Sequence, residues 1–164
     1  SNATVQWWNS QKNAELAIQQ NVKLILSPAK KAYLDTKYDD NSEFGLRWAG
    51  YIPVDTAYIW NPESYFPMEN VLGVEAPLWS ETIRTIDELE YLAFPRVIGY
   101  AELGWSTQEN RNWEDYKKRL AYHRLFLDAN GVNYYKSPVI EMEYWDVRIE
   151  YWVMSFATYD SNYW

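Results

Sequence analysis

The chain has 164 residues, enough for one domain with a sizeable core, and a formal net charge of −8 at pH 7. That charge argues against nucleic-acid binding, which needs a basic patch, and no apolar run approaches the roughly 20 residues that span a bilayer. With no cysteine and a single histidine, His123, the sequence excludes a disulfide framework, a thiolate metal site and a multi-histidine zinc site. No metal and no cofactor are expected.

The aromatic content is unusually high, with ten tryptophans and fifteen tyrosines. A chain of this size cannot place so many rings in its core. Because Trp and Tyr combine a large apolar body with a polar group, some of them are expected to line a groove or an interface. Composition does not separate a carbohydrate site from a protein interface.

The first half of the chain predicts a strand, a helix and a strand, followed by a long loop. Residues 4–8 are β-prone, residues 13–21 favour a short helix, and residues 22–26 form an apolar strand halted by Ser27-Pro28. The polar and aromatic residues 36–70 follow, with short helical turns expected around 54–60. Loops of this length in a compact domain are usually functional.

The second half predicts one more strand and then helices. The expected elements are a strand at 71–78 and helices at 86–94, 96–105 and 113–130. Asn112 is the expected N-cap of the last helix, and Gly131 stands at the position that favours a left-handed cap. Strands that alternate with helices indicate parallel βα units and an α/β fold.

Both ends of the chain differ from the middle. Residues 1–3 are expected to be the remnant of an expression tag. Residues 144–153 alternate apolar and charged side chains, which predicts a half-buried strand within a C-terminal extension, residues 139–164. The sequence suggests no function for that extension.

The stretch GVEAPLWSE at 73–81 combines an aromatic ring and a carboxylate at the end of an apolar run. Trp79 and Glu81 are two residues apart, so on extended backbone they point the same way. A ring beside a carboxylate suits a sugar, because the ring covers its apolar face and the carboxylate accepts its hydroxyls. The alternative is that Trp79 belongs to the core and Glu81 caps the next helix.

Four blocks in order resemble the C-terminal part of the catalytic domain of family 20 glycoside hydrolases, the β-N-acetylhexosaminidases. They are VQWW at 5–8, SPAKKAYLD at 27–35, GVEAPLWSE at 73–81 and FPRVIGYAELGWS at 94–106. The resemblance implies that residues 4–138 are part of a TIM (β/α)8 barrel, its last three βα units. It also implies removal of terminal N-acetylglucosamine or N-acetylgalactosamine from glycans, with retention and substrate assistance.

The resemblance assigns a role to five residues. Trp8 would form a wall around the acetamido methyl group, and Tyr33 would donate its hydroxyl to the acetamido oxygen that attacks the anomeric carbon. Asp35 would bind outer sugar hydroxyls. Trp79 would be the floor under the sugar ring, and Glu81 would accept from the same outer hydroxyls.

The chain departs from the family in one respect. Nothing in it matches the family's catalytic Asp-Glu pair, and Glu75 and Glu102 belong to other blocks. The isolated chain is therefore expected to be inactive. Three strands of an eight-stranded barrel leave two sheet edges unpaired, so self-association through them is expected unless the 140–164 tail covers them.

Several alternatives remain open. The chain is otherwise interpreted as a non-catalytic carbohydrate-binding module, or as an interaction domain that uses its aromatic tail. Arg96 and Glu102 are expected to form an internal pair, and His123 to be partly buried. A further group of rings either forms another sugar subsite or packs the long loop: Trp48, Tyr51, Tyr58 and Trp60.

Overall fold

The computed structural model describes residues 3–140. The predicted strand at 144–153 and nearly all of the expected 139–164 extension lie outside the described residues. Nine helices and strands are present among the residues described: β1 Thr4–Trp7, α1 Gln11–Gln19, β2 Lys23–Leu26, α2 Ala29–Ala32, α3 Val54–Ile59, β3 Val71–Val74, α4 Ile86–Ala93, α5 Arg96–Trp105 and α6 Trp113–Ala129. Short 3-10 turns occupy Pro62–Ser64, Met68–Asn70 and Gln108–Asn110.

The three strands form one parallel sheet in the order β1-β2-β3. β1 and β2 pair in regular register from Thr4 opposite Lys23 to Trp7 opposite Leu26. The register between β2 and β3 shifts, so that Leu72 is the extra residue and is exposed. This arrangement confirms the predicted α/β class with parallel βα units. The outer edges of β1 and β3 have no strand partner among residues 3–140.

The predicted strand at 71–78 is too long. Pairing ends at Val74, and the Glu75 N–H donates the last sheet-like hydrogen bond, to the Leu26 carbonyl at 2.9 Å. Pro77 has no N–H with which to continue a ladder. Its carbonyl instead accepts from the Leu34 N–H at 2.7 Å. The residues after β3 therefore leave the sheet and cross toward the loop that follows β2.

The helices begin and end where local chemistry dictates. Side chains of Ser10, Thr85 and Asn112 cap the N-termini of α1, α4 and α6 by accepting backbone N–H groups. Gly131 after α6 has φ +67°, in the left-handed region predicted for it. None of the described helices combines the length and apolarity needed to cross a bilayer.

Two apolar clusters hold these elements together. The first lies against the sheet and is centred on Leu24 and Leu26 of β2, with Trp7, Trp60 and Tyr100 around them. The second joins α3 to α6 and the segment after α6, through Tyr58, Tyr116, Leu120, Ile140 and Tyr38. His123 lies outside both; it is exposed on α6 beside the Phe126 ring, so the prediction of a partly buried histidine is wrong.

Candidate functional site

The candidate site lies beyond the carboxyl ends of the three strands. Trp8 follows β1, Tyr33 lies in the connection after β2, and Trp79 lies after β3. In parallel sheets the carboxyl ends of neighbouring strands share one edge, where ligands usually bind. The fold therefore brings together side chains that are far apart in the sequence.

Four aromatic rings form a continuous row at this edge, which we call the aromatic row: Trp8, Trp48, Tyr33 and Trp79. The ring centroids are 6.4 Å apart for Trp8 and Trp48, 6.0 Å for Trp48 and Tyr33, and 6.1 Å for Tyr33 and Trp79. Trp8, Trp48 and Trp79 are 42%, 60% and 46% exposed, whereas Tyr33 is buried. The tryptophan rings on both sides of the buried Tyr33 therefore expose large apolar faces to solvent.

The sequence alone does not distinguish Trp48, which is at the site, from the other aromatic residues of the long loop. Tyr58 and Trp60 are buried in the two clusters, as the packing interpretation expects, but Trp48 is exposed and belongs to the row. The long loop returns to Asp35, whose carbonyl accepts from the Leu46 N–H at 2.8 Å. This contact joins residues that are separated in the sequence, so no local sequence pattern predicts it.

Gly45 makes the return of the loop possible. Its φ of +110° lies in the region that side chains avoid, and a Cβ would stand 2.8 Å from the Lys37 nitrogen and 3.1 Å from the Asp35 oxygen. Only glycine therefore lets the loop approach Asp35 so closely. The consequence is that Trp48 is held next to Tyr33.

Tyr33 is the buried member of the row. It immediately follows α2, and burial raises the pKa of its hydroxyl, while the Trp79 side chain partly offsets that effect. The hydroxyl is therefore protonated at neutral pH and able to donate a hydrogen bond.

Asp35 is completely buried, yet neither of its carboxylate oxygens has a hydrogen-bond partner among the described residues. Burial raises the pKa of this carboxyl above its ordinary value. The backbone N–H groups of Asp35 and Trp79 lie near enough to lower the pKa, although neither makes a hydrogen bond of good geometry to the carboxylate; the charge of Glu81 raises the pKa and that of Arg96 lowers it. Two acceptor oxygens without partners are suited to hydroxyl donors, because pairing would offset the cost of their burial.

Tyr33 has extended backbone angles, but the chain does not stay extended as far as Asp35. Leu34 and Asp35 form a turn, in which the Thr36 N–H approaches the Tyr33 carbonyl at 3.4 Å. The turn arises because α2 ends at Ala32 and the Leu34 N–H is drawn to the Pro77 carbonyl. Both side chains are still buried at the same edge of the sheet.

Trp79 and Glu81 are both exposed, in irregular backbone after β3. The core interpretation of Trp79 is therefore wrong. Glu81 does not cap the next helix either, because Thr85 accepts the Glu88 N–H at 3.2 Å and caps α4. Neither structural alternative accounts for this ring and this carboxylate.

A cavity of about 490 Å³ opens beside the row. Its wall includes Trp7, Trp8, Trp48, Lys31 and Tyr65. Pockets of this size hold small ligands. Among residues 3–140, no cluster of three or more His, Asp and Glu side chains has the geometry to hold a metal ion.

The expected pair of Arg96 and Glu102 does not form. Glu102 accepts from the Tyr58 hydroxyl at 2.7 Å and from both terminal nitrogens of Arg119, at 2.7 and 2.8 Å. Arg96 is buried and donates to backbone carbonyls instead. Both residues lie on α5, but they point toward different neighbours.

Comparisons with a family model and with known proteins all indicate the same family. The family model described as glycosyl hydrolase family 20, catalytic domain, matches residues 1–108. A β-N-acetylhexosaminidase of Cellulomonas fimi is 38% identical over 144 residues, which cover 83% of this chain and 29% of that protein. A β-hexosaminidase of Porphyromonas gingivalis is 31% identical, covering 81% of this chain and 18% of that protein.

Solved structures give the same result. The N-acetyl-β-hexosaminidase of Streptomyces plicatus in complex with Thio-NAglucal is 42% identical with a TM-score of 0.80, over 86% of this chain and 30% of that one. The exo β-N-acetylglucosaminidase of Vibrio harveyi in complex with N-acetylglucosamine is 33% identical with a TM-score of 0.75, over 81% and 22%. The chain thus spans less than a third of the length of these relatives.

Proposed function

The chain belongs to glycosyl hydrolase family 20, and from that premise we propose that it supplies the substrate-binding wall of a β-N-acetylhexosaminidase. The parent protein would remove terminal N-acetylglucosamine or N-acetylgalactosamine from glycans by substrate-assisted catalysis with retention. The aromatic row beside the buried carboxylate of Asp35 is the observation that carries this proposal.

The proposed site residues divide between stacking and hydrogen bonding. Trp79 is the floor for the sugar ring, and Trp8 forms a wall near the acetamido methyl group. Their exposed rings support these roles, because a sugar face can be buried against them. Asp35 and Glu81 accept the outer hydroxyls of the sugar. Since Asp35 has no exposed surface, the side chains around it must shift for a hydroxyl to reach it.

Tyr33 is proposed to act directly on the reacting group. Its protonated hydroxyl donates to the acetamido oxygen, which attacks the anomeric carbon and forms an oxazolinium intermediate. The raised pKa of Tyr33 supports this role, because a donor must keep its proton throughout. Trp48, between Tyr33 and Trp8, extends the aromatic wall.

The chain is proposed to be a partial barrel, with residues 4–138 as the last three βα units and residues 139–164 as an extension. The parallel order of β1, β2 and β3 and the likeness to far longer relatives support this division. The two unpaired edges lead us to expect self-association of the isolated chain. Light scattering that finds only a monomer would contradict that expectation.

The isolated chain is proposed to lack the general acid. The exposed Glu81 and the buried Asp35 are both assigned to hydroxyl binding, and no segment matches the family's Asp-Glu pair. The second candidate is a carbohydrate-binding module without catalysis, which the open tryptophan faces favour.

Hydrolysis of a chromogenic N-acetylglucosaminide distinguishes these two functions. It is measured with this chain and with the natural full-length protein that carries it. We expect turnover by the longer protein alone. Turnover by neither, together with binding of N-acetylglucosamine, would establish the binding module instead. Turnover by this chain would reveal an acid within it and overturn the assignment.

A further inference from the structure

Arg96 is a buried cation that is bonded to the backbone rather than to a carboxylate. It is 1% exposed and begins α5. One terminal nitrogen donates to the Ile52 carbonyl at 3.1 Å, and the other donates to the Leu34 carbonyl at 2.6 Å and the Leu92 carbonyl at 2.8 Å. These three acceptors come from three separate segments, which the guanidinium joins at one point.

The Leu34 carbonyl is the acceptor that matters for the site. Leu34 stands between Tyr33 and Asp35, and its own N–H donates to the Pro77 carbonyl at 2.7 Å. Its peptide groups are therefore held both by Arg96 and by the segment that leads to Trp79. A carbonyl fixed in this way limits the rotation of the peptide that carries Asp35.

The guanidinium itself is held in one orientation by Tyr38. Its central carbon lies 3.7 Å from the centre of the Tyr38 ring. The Tyr38 hydroxyl donates toward the Leu92 carbonyl at 3.1 Å and the Phe94 carbonyl at 2.8 Å, so the ring is also fixed. A planar guanidinium stacked on a fixed ring directs its N–H donors in defined directions. The ammonium group of a lysine, on a flexible stem, has no such fixed geometry.

We infer that Arg96 is a positioning residue, which sets Tyr33 and Asp35 against Trp79 by holding the Leu34 carbonyl. The inference rests on the proposed function for its effect on catalysis. Arg96 itself would not touch the sugar, because its side chain is buried beneath the turn.

Arg111 provides a matched control. It is also a buried arginine, 8% exposed, and donates to two backbone carbonyls, those of Tyr58 at 2.6 Å and Trp60 at 3.1 Å, and to the Gln108 side-chain oxygen. Its guanidinium lies 5.4 Å from the centre of the Tyr58 ring. Arg111 makes no hydrogen bond to the turn that carries Tyr33 and Asp35. Replacing either arginine by lysine removes a buried guanidinium group, but only the guanidinium of Arg96 bonds to the turn at the site.

The first test compares Arg96→Lys with Arg111→Lys in the natural full-length protein, at a temperature below both unfolding midpoints. We expect Arg96→Lys to lower kcat by about 100-fold, because misplacing a reacting group by about 1 Å costs that much. KM should rise by a smaller factor than kcat falls, since Trp79 and Glu81 still bind the sugar while Asp35 is displaced. Arg111→Lys should leave kcat and KM unchanged. Equal kcat values for the two variants would reduce Arg96 to a structural role and overturn the inference.

If Arg96→Lys does not fold, Tyr38→Leu replaces it, because that change removes the ring that orients the guanidinium and keeps the arginine. The same fall in kcat relative to Arg111→Lys is then expected. Its absence would overturn the inference.

The second test does not depend on turnover. Crystal structures of the lysine variants of this chain should show Tyr33 and Asp35 displaced relative to Trp79 in Arg96→Lys, and not in Arg111→Lys. If the full-length protein is inactive while this displacement is seen, the proposed function fails and the positioning stands. An undisturbed turn in Arg96→Lys would overturn the inference whatever the activity.

Discussion

Tyr33 and Trp79 lie with their ring centroids 6.1 Å apart, one buried and the other open to solvent. They follow different strands, and the hydrogen bond from the Leu34 N–H to the Pro77 carbonyl ties their two segments together. The pairing places a hydrogen-bond donor beside an apolar platform. An N-acetylated sugar offers matching features, a carbonyl oxygen for the donor and a C–H face for the platform.

Replacement of Trp79 by alanine tests the platform. In the natural full-length protein, Trp79→Ala should weaken binding of N-acetylglucosamine at least about tenfold, which corresponds to about 1.4 kcal/mol, because the sugar face loses its apolar partner. Titration calorimetry measures the effect. Trp105→Ala is the control, since Trp105 is 92% exposed and outside the aromatic row. Equal weakening by the two variants would argue against a platform at Trp79.

Removal of the Tyr33 hydroxyl tests its role as a donor. Tyr33→Phe keeps the ring, so the fold should be retained, while kcat should fall by about 100- to 1000-fold, as for other preorganised donors. Steady-state kinetics on the full-length protein measure this fall. Tyr91→Phe, which removes a hydroxyl that accepts from the Glu43 N–H, should leave kcat unchanged. A Tyr33→Phe enzyme with normal kcat would exclude the proposed hydrogen bond.

Asp35→Asn should stabilise the fold while impairing the site. Burial raises the pKa of Asp35, so the folded state binds its proton more tightly than the unfolded state does. The stability associated with that proton is fully present below the unfolded pKa and is lost as the pH rises through the higher folded pKa. The free energy of unfolding should therefore be larger for Asp35→Asn at neutral pH, by about 1.4 kcal/mol for each unit of the rise.

Chemical denaturation of this chain as a function of pH measures that difference. The advantage of Asp35→Asn should shrink as the pH falls toward the ordinary range for aspartate. Asp40→Asn, at a carboxylate whose side chain is 84% exposed, is the matched control for the substitution. The same Asp35→Asn change in the full-length protein should reduce sugar binding. A destabilised Asp35→Asn chain at neutral pH would show that the carboxylate has a partner that stabilises it.

The pair of Glu102 and Arg119 should give the opposite pH dependence. Hydrogen bonds from Arg119 lower the pKa of Glu102, so the stability it contributes is present above the unfolded pKa and is lost as the pH falls through the folded pKa. Glu102→Gln should destabilise the chain at neutral pH by about 1 kcal/mol or less, because Arg119 is half exposed. In acid the two chains should converge. A constant difference across the pH range would mean that packing, and not charge, accounts for the loss.

The sequence was informative wherever a local rule decides the structure. Asn112 and Gly131 mark the ends of the last helix correctly, because capping depends on a few neighbouring residues. The shortened third strand also has a local cause, since Pro77 cannot donate to a ladder.

Features that depend on distant contacts were not predictable. Trp48 enters the site only because the long loop returns to Asp35, and Arg96 finds carbonyls in segments far from it in the chain. The buried state of Asp35 arises in the same way. The family resemblance singles out Trp8, Tyr33, Asp35, Trp79 and Glu81, but it does not explain what holds them in place.

The central place of β2 has a consequence for the dynamics of the sheet. Among residues 3–140, β2 alone has a strand on each side, whereas β1 and β3 each have one unpaired edge. Amide protons exchange with solvent when their hydrogen bonds open, and an outer strand can separate while β2 stays paired on its other side. In deuterated water the amides of β2 should therefore be the last of the sheet to exchange. The strand that leads into Tyr33 and Asp35 would then be the slowest part of the sheet to open.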